Sequence, residues 1–340
     1  MQNTDALIQL IEATDRRRNE RRSFLRYAGA GAAAIGGLTM LSACGDDDDD
    51  APVATPSPTP TPVATGPNDV DILNLALNLE YLEAQFYSYA TFGVGLPATQ
   101  LTGNGTQGAV AGVGTAGGPR QVPFADPIVA EYAREIARDE IAHVAFLRTA
   151  LGAAAVAQPA INISGDATGA FTAAARAAGV VPATGTFDPY LNDNNFLLGA
   201  FIFEDVGVTA YKGASPLITS KVFLEAAAGI LAAEAYHAGL VRTLLYRRGA
   251  DAPMLRTIAG QISDARDSLD GPTDLDQGII GTDTVSNLVP VDANAIAFSR
   301  TPEQVHNIVY LTNRQATSGG FFPAGTNNAN PALRRSGNFA

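Results

Sequence analysis

The sequence predicts an all-α protein: a four-helix bundle with a fifth helix and an irregular C-terminal extension. Four long stretches carry apolar residues at helical spacing, and they are residues 71–90, 126–152, 193–212 and 217–248. Two of these stretches contain the same Glu-x-x-His pattern, and the other two each contain a Glu followed seven residues later by a Tyr. Four helices of this length can pack as an antiparallel bundle. The repeated patterns indicate two helix hairpins of common design.

The connections between the predicted helices differ in length. Residues 91–124 are rich in Gly, Thr and Ala and are predicted to form a long loop, while residues 153–192 are predicted to contain one short helix near 171–178. The third and fourth helices are joined tightly at residues 213–216. Pro216 is expected to start the fourth helix, because proline suits the first turn of a helix.

The C-terminal part, residues 251–340, is predicted to pack on the bundle domain, residues 68–250, rather than to form a separate domain. Residues 252–269 have the amphipathic spacing of a fifth helix. The remainder is rich in Gly, Asn and Pro and has one predicted helix at 302–310. A chain of 340 residues is long enough to bury a substantial core in this way.

The N-terminus is predicted to be an export signal rather than part of the fold. Arg21 and Arg22 are followed by Phe-Leu and by a short apolar run at residues 27–41, an order that resembles the twin-arginine signal. The following Leu-Ser-Ala-Cys resembles a bacterial lipobox in which Cys44 becomes the lipidated first residue. Residues 1–44 are therefore predicted to be a lipoprotein signal peptide.

Residues 45–67 are predicted to be an extended tether between the lipid and the domain. They contain five consecutive aspartates and a Pro/Thr-rich run, a composition that cannot bury apolar surface. The resemblance implies a domain that is anchored to a bacterial membrane through Cys44 and lies in the periplasm or outside the cell. Twin-arginine export further implies that the domain crosses the membrane already folded.

The composition excludes several classes of partner and site. The net charge is −12 and no basic stretch continues beyond the N-terminus, so a nucleic-acid partner is not expected. The one cysteine excludes an intramolecular disulfide and a cysteine-based zinc site. The chain has three histidines, so the position of each one is informative.

Two of these histidines stand in a Glu-x-x-His pattern, in register with the repeat. Residues three apart lie on one face of a helix, so each Glu and His pair can reach the same ion. Burying several carboxylates together is costly unless positive charge cancels theirs, and two divalent cations balance four glutamates. Oxygen and imidazole ligands without a thiolate suit iron or manganese. The six candidate ligands are Glu80, Glu140, His143, Glu204, Glu234 and His237.

This ligand set resembles that of the ferritin-like superfamily, in which one Glu from each of two helices and a Glu-x-x-His from each of the other two hold two metal ions. More narrowly, the chain is similar to exported bacterial ferritin-like proteins related to plant desiccation-related proteins. Residues 297–305 and 319–323 carry part of that resemblance, which covers roughly residues 68–325. It implies a bundle that holds two iron ions, with manganese as the alternative.

Some residue assignments stay open in the sequence. Glu83 competes with Glu80 as a ligand because it lies on nearly the same helix face, but the repeat favours Glu80, since Glu83 aligns with Gly207. Tyr87 and Tyr211 lie two turns beyond the ligand glutamates of their helices. The resemblance implies that they donate a hydrogen bond or an electron near the metals, and the alternative is that they are core aromatics.

Other polar residues are predicted to have supporting roles. Asp139 is a candidate acceptor for the second ring nitrogen of His237, since a metal-bound histidine needs such a partner. Arg148 and Arg242 recur in the repeat and are predicted to be structural. His306 has no Glu three residues before it and is predicted to be an ordinary packed or polar histidine.

The leading functional hypothesis is redox chemistry in envelope stress protection, as a ferroxidase, peroxidase or catalase-like enzyme. Dioxygen, peroxide and ferrous iron are the candidate small substrates. The alternative is a non-enzymatic desiccation- or stress-associated lipoprotein whose metals only stabilise the bundle. Fold does not decide between them, but a catalytic site keeps open coordination positions and a bracing site is closed. A storage cage is disfavoured because the tether and the C-terminal part would hinder closed-shell packing.

Overall fold

The computed structural model describes residues 66–340, so the predicted signal peptide and lipobox and most of the predicted tether lie outside the described residues. Within the described range, no helix is long and apolar enough to cross a membrane. Apart from isolated β-bridges, this range contains no strand, and the predicted all-α class is confirmed. Its α-helices are α1 (Asp69–Phe92), α2 (Pro127–Leu151), α3 (Ala170–Ala177), α4 (Asp193–Ala214), α5 (Lys221–Arg248), α6 (Met254–Asp267) and α7 (Pro302–Tyr310).

Helices α1, α2, α4 and α5 form the bundle. The most extensive contacts join α1 to α2 and α4 to α5, so the chain forms two helix hairpins. Smaller contacts between α1 and α4 and between α2 and α5 join the two hairpins. This pairing agrees with the internal repeat, because each hairpin contains one Glu-helix and one Glu-x-x-His helix.

The C-terminal part of the chain covers the outer faces of α1 and α4, which are buried on nearly every side. Phe321 packs against Phe203 on α4 and Phe171 on α3, with ring centroids 5.0 and 5.2 Å apart. Helices α2 and α5 instead leave one face to solvent, and Tyr236 on α5 is 76% exposed. The two sides of the bundle therefore differ in polarity and in access to solvent.

The fourth bundle helix begins later than the sequence predicts. Pro216 lies in a short 3-10 turn, Ser215–Leu217, whereas α5 begins at Lys221. The side chain of Ser220 accepts a hydrogen bond from the backbone N–H of Phe223, which satisfies one of the free donors at the helix start. The prediction for Pro216 is wrong because the extended residue Ile218 interrupts the helical path and the serine cap restarts it.

A buried network of three arginines and three aspartates joins α4, α5 and α6 to the C-terminal segment. Asp205 on α4 accepts hydrogen bonds from Arg242 and Arg266 at 2.7 and 2.9 Å. Asp276 pairs with Arg266 at 2.7 Å and also with Arg300. Opposite charges in equal number compensate one another where water is excluded. The members are Asp205, Asp270, Asp276, Arg242, Arg266 and Arg300.

Arg242 also holds the C-terminal segment directly. Its guanidinium is wholly buried and donates to carbonyl oxygens of residues 277–278 and 287–288 at 2.8 to 3.0 Å. Arg148, its counterpart in the repeat, donates to the Thr102 carbonyl at 2.7 Å. Both arginines therefore make structural contacts, but they fasten different segments to the two hairpins.

We expect Asp276→Ala to lower the free energy of unfolding by about 3–5 kcal/mol, because it leaves Arg266 and Arg300 buried with less compensating charge. The matched control is Asp188→Ala, which removes the partner of the 40% exposed Arg120 side chain. An ion pair that is partly open to solvent, as this one is, contributes less, about 0–1 kcal/mol. Denaturant unfolding of the full-length protein measures both changes. Equal losses in the two variants would contradict a special role for the buried network.

Candidate metal centre

The six predicted ligands meet in the middle of the bundle. Four of the six side chains belong to the Glu-x-x-His pairs of α2 and α5, and α1 and α4 each add one glutamate. Their ligand atoms form two groups, and within each group these atoms lie within 4.8 Å of one another. The first group is Glu80, Glu140, His143 and Glu234, and the second group is Glu140, Glu204 and His237. Each group is compact enough to hold one metal ion.

His143 is the imidazole of the first group. Its Nδ1 lies 3.2 Å from an oxygen of Glu80 and 3.5 Å from an oxygen of Glu140. An oxygen of Glu234 lies 3.6 Å away. The helical spacing predicts that Glu234 and His237 serve the same ion, but the structure places Glu234 with His143. Gly207 on α4 has no side chain, and this leaves room for the second oxygen of Glu234 in that arrangement.

Glu140 lies between the two imidazoles and belongs to both groups. Its Oε1 is 3.1 Å from His237 Nδ1, and its Oε2 is 3.5 Å from His143 Nδ1. Glu204 completes the second group with an oxygen 3.6 Å from His237 Nδ1. The two imidazole rings are 6.3 Å apart between centroids. Glu140 is therefore placed to bridge two ions, with one oxygen toward each.

Several ligand atoms in the two groups are buried without a hydrogen-bond partner. They are both oxygens of Glu140, both oxygens of Glu234, Oε2 of Glu204 and Nδ1 of His237. A buried polar atom left without a partner costs about 1–3 kcal/mol, and a charged one costs more. Metal ions bound at these atoms would remove that cost. The donor atoms are carboxylate oxygens and imidazole nitrogens, so the residues present fit iron or manganese.

The carboxylates of the cluster resist ionisation when no metal is bound. Burial raises the pKa of Glu80 to about 7 and that of Glu204 to about 8. Burial also raises the pKa of Glu234 well above its ordinary value, and neighbouring carboxylates add to the increase. Glu140 is the exception. Burial also acts to raise the pKa of Glu140, but the adjacent imidazoles of His143 and His237 hold this pKa below its ordinary value.

The two imidazoles hold their protons strongly in the same environment. Burial alone lowers the pKa of His143, but Glu80 and Glu140 outweigh it and raise the value to about 11. His237 is likewise desolvated, yet Glu204 and Asp139 raise its pKa to about 10. The metal-free cluster is therefore a proton-rich cluster, and a metal ion has to displace protons in order to bind.

Tyr87 and Tyr211 make crosswise hydrogen bonds to the glutamates. The hydroxyl of Tyr87 on α1 donates to Glu204 on α4, and the hydroxyl of Tyr211 on α4 donates to Glu80 on α1. Both tyrosines are buried, and burial raises the pKa of each well above its ordinary value. Each therefore stays a hydrogen-bond donor and fixes one carboxylate oxygen, which leaves the other oxygen of that glutamate free for a metal.

Asp139 and His143 lie on the solvent side of the centre. Asp139 Oδ2 is 3.3 Å from His237 Nε2, so it holds the ring with Nδ1 toward the ligands, as predicted from the need for an acceptor. The Asp139 side chain is 49% exposed and that of His143 is 13% exposed. The polar approach to the centre is therefore between α2 and α5.

Glu83 is another buried carboxylate beside the centre, and it belongs to neither ligand group. A Cβ added at Gly207 would lie 2.6 Å from Glu234 Oε2 and 3.5 Å from Glu83 Oε1, so these two carboxylates approach the same small space. Burial raises the pKa of Glu83 well above its ordinary value. The geometry thus favours Glu80 over Glu83 as the α1 ligand.

Gly207 is the position that the sequence analysis did not recognise as part of the site. Glycine within a helix costs roughly 0.5–1 kcal/mol relative to alanine, so a mid-helix glycine needs a local reason. Here the reason is the close approach of the Glu234 carboxylate. The alignment of Gly207 with Glu83 in the repeat was a usable signal, because it shows that one hairpin has a carboxylate where the other has a space.

His306 lies away from the centre. It is buried, with Nδ1 2.7 Å from the Pro302 carbonyl and Nε2 3.1 Å from Thr326 Oγ1. Burial lowers its pKa to about 4, so it is a neutral packed histidine.

Comparisons with known proteins agree with this architecture. A ferritin-like domain is recognised over residues 68–247. The desiccation-related protein PCC13-62 of Craterostigma plantagineum is 30% identical over 278 residues, which cover 78% of this chain and 85% of that protein. The ferritin-like catalase Nec2 of Nesocodon mauritianus is 27% identical over 275 residues, which cover 76% of this chain and 83% of that protein. No solved structure matches the chain.

Glu80→Gln is expected to abolish binding of at least one metal ion per chain, because an amide cannot replace an anionic ligand in the first group. Glu83→Gln is the matched control on the same helix face and is expected to keep the metal content of the unchanged protein. Elemental mass spectrometry of both variants measures the difference. Loss of metal from the Glu83 variant with retention in the Glu80 variant would reverse the assignment.

Metal affinity is expected to fall as the pH is lowered. The raised pKa values of His143 and His237, about 11 and about 10, mean that both rings are positively charged imidazolium groups at neutral pH in the metal-free protein. For each proton that the metal displaces, the metal affinity falls about tenfold when the pH is lowered by one unit. The affinity stops depending on pH only above the pKa of the histidine that loses the proton. Calorimetric titration in buffers of different ionisation enthalpy counts the protons released. Release of no proton at pH 7 would contradict the predicted competition.

Proposed function

Because the chain belongs to the ferritin-like family, we propose that it binds two iron or manganese ions and uses them for redox chemistry with peroxide or dioxygen. The observation that carries this proposal is the set of buried donor atoms without hydrogen-bond partners, arranged in two groups that share Glu140. When bound, the metals would supply the electron exchange with the substrate, and the protein would supply ligand geometry and a dry surrounding.

The protein's own side chains have distinct roles in this proposal. Glu140 would be a ligand shared by both ions, and the other five ligands would divide between the ions as the two groups indicate. Tyr87 and Tyr211 fix the outer oxygens of Glu204 and Glu80 by their hydrogen bonds. Asp139 holds the His237 ring in the orientation that a ligand needs.

Disproportionation of hydrogen peroxide is the reaction that we favour. In this reaction two peroxide molecules give two water molecules and one dioxygen molecule. One supporting observation is the similarity to a protein named as a ferritin-like catalase. Another is the polar approach between α2 and α5, where the partly exposed Asp139 and His143 offer hydrogen-bonding groups to a polar substrate. Ferroxidase and peroxidase reactions use the same centre and are the nearest alternatives.

The proposed site of action is the bacterial cell envelope. The support comes from the sequence: the paired arginines, the apolar run and the lipobox-like residues that end at Cys44. We propose that the domain is exported folded, with its metals, and is anchored by a lipid at Cys44. Protection against oxidative stress in the envelope is the corresponding physiological role.

A non-enzymatic role is the second candidate, and one observation favours it. One relative at 30% identity is named as a desiccation-related protein. In this reading the metals only brace the bundle, because Glu80, Glu140 and Glu234 are wholly buried. The two candidates differ in what happens when peroxide is added to the metal-loaded protein.

The metal content and the peroxide reaction of the full-length protein test the proposal together. Elemental mass spectrometry is expected to find about two iron or manganese ions per chain, as the ligand set of such bundles implies. Glu140→Ala/Glu234→Ala is expected to lose them. The matched control is Glu131→Ala/Glu225→Ala, which changes exposed glutamates on the same two helices. An oxygen electrode then measures dioxygen released from peroxide.

Three outcomes are distinguishable. Two metal ions and dioxygen release, both lost only in the Glu140→Ala/Glu234→Ala protein, would support the proposed enzyme. Two metal ions without reaction toward peroxide, dioxygen or ferrous iron would favour the bracing role. Absence of metal after anaerobic reconstitution would refute the metal centre. It would also refute both candidate functions that depend on the metals, the redox enzyme and the bracing role.

A further inference from the structure

Two neighbouring apolar cavities lie on the side of the centre that the C-terminal part covers. The outer cavity has a volume of about 50 Å³ and is bounded by α3, α6 and α7, with Ala177 and Ser268 at its exposed margin. The inner cavity has a volume of about 20 Å³ and lies among α1, α4 and α7. Ile202 and Ile308 line both cavities, so these two side chains form the wall between them.

The inner cavity ends against the candidate metal centre. Glu83, Gly207 and Tyr211 form this end of its wall. Tyr211 donates its hydroxyl hydrogen to the ligand Glu80, and a Cβ at Gly207 would lie 2.6 Å from an oxygen of the ligand Glu234. The outer cavity therefore borders the surface, and the inner cavity borders side chains that touch two ligands.

The cavity walls favour small nonpolar molecules over water. Apart from Glu83 and Tyr211, the inner wall is made of apolar side chains and Gly207. A cavity of about 20 Å³ has room for one small molecule, and most of this wall offers no hydrogen-bonding partner to a water molecule, which needs two to four of them. A polar molecule such as peroxide has a better approach on the opposite side, where Asp139 and His143 reach solvent.

We infer that the two cavities form the route by which dioxygen passes between the dimetal centre and the surface, past the side chains of Ile202 and Ile308 that separate the cavities. This inference rests on the proposed function. It applies whether dioxygen is the product of peroxide disproportionation or a reactant, because the same nonpolar molecule crosses the same wall. Peroxide and water use the polar side between α2 and α5, so the polar and nonpolar species move on separate paths.

A neighbouring cavity provides the control for this route. It also has a volume of about 20 Å³ and shares Leu79 and Tyr211 with the inner cavity. Neither Glu83 nor Gly207 borders it, and Ala76 and Val305, which line it, border neither cavity of the route. Ala76→Leu fills this control cavity. Ile308→Phe adds comparable bulk at the junction of the two route cavities. Both changes overpack an apolar space, so general effects of overpacking are shared.

The first test uses xenon, a nonpolar probe of the size of a small gas molecule, and needs no metal. Crystals of the metal-free protein under xenon pressure are expected to show xenon in both route cavities. Ile308→Phe is expected to lose the inner xenon, while Ala76→Leu keeps it. Thermal unfolding confirms that both variants are folded. Absence of xenon from the inner cavity of the unchanged protein would overturn the route.

The second test uses the metal-loaded, reduced protein in stopped-flow experiments. Oxidation by dioxygen is expected to slow about tenfold in Ile308→Phe, which corresponds to ~1.4 kcal/mol of added barrier. Oxidation by peroxide is expected to keep its rate, as are both reactions of Ala76→Leu. An unchanged dioxygen rate in Ile308→Phe with intact metal content would overturn the route. Failure of the proposed function would look different, with no bound metal although xenon still occupies both cavities.

Discussion

The rest of the structure depends on one electrostatic constraint, the burial of several carboxylates and two imidazoles in a single small space. Without metal, this cluster has to keep protons on its histidines and on several glutamates, as the raised pKa values of both imidazoles indicate. The surrounding bundle excludes water, so only protons or metal ions can balance the charge. The antiparallel hairpins, the inward glutamates and the crosswise tyrosines all follow from the need to hold this cluster in place.

The second buried cluster solves a related problem without a metal. Asp205 follows the ligand Glu204 in sequence, but its carboxylate accepts hydrogen bonds from Arg242 and Arg266 instead of approaching the centre. The two clusters adjoin along α4, where Asp205 and Glu204 are consecutive, and the charge of Asp205 adds to the effect of burial in raising the pKa of Glu204. The same arginines also hold the C-terminal segment, which covers the apolar side of the centre. Asp205, the α4 residue next to the ligand Glu204, therefore helps to hold that segment in place.

The sequence predicted the features that local periodicity and internal repetition determine. The Glu-x-x-His pairs and the helix-period apolar residues locate the bundle helices to within a few residues, because both signals depend on neighbours one turn apart. The grouping of Glu234 with His143 was not predictable in this way, since it is a contact between side chains of two different helices. The buried network that contains Asp205 and Arg300 was also missed, because pairings between residues far apart in sequence leave no periodic pattern. The predicted start of α5 at Pro216 was wrong because the helix begins after the Ser220 cap and not at the proline.

The crosswise tyrosine bonds have a consequence for the assembly of the protein. Each hairpin supplies the tyrosine that holds the other hairpin's glutamate, and each ligand group draws residues from both hairpins. A half-folded chain therefore contains no complete binding site. Since a ligand that binds only the native state stabilises it by mass action, metal capture would act as proofreading: an ion retained by the chain reports that both halves have docked in the correct register.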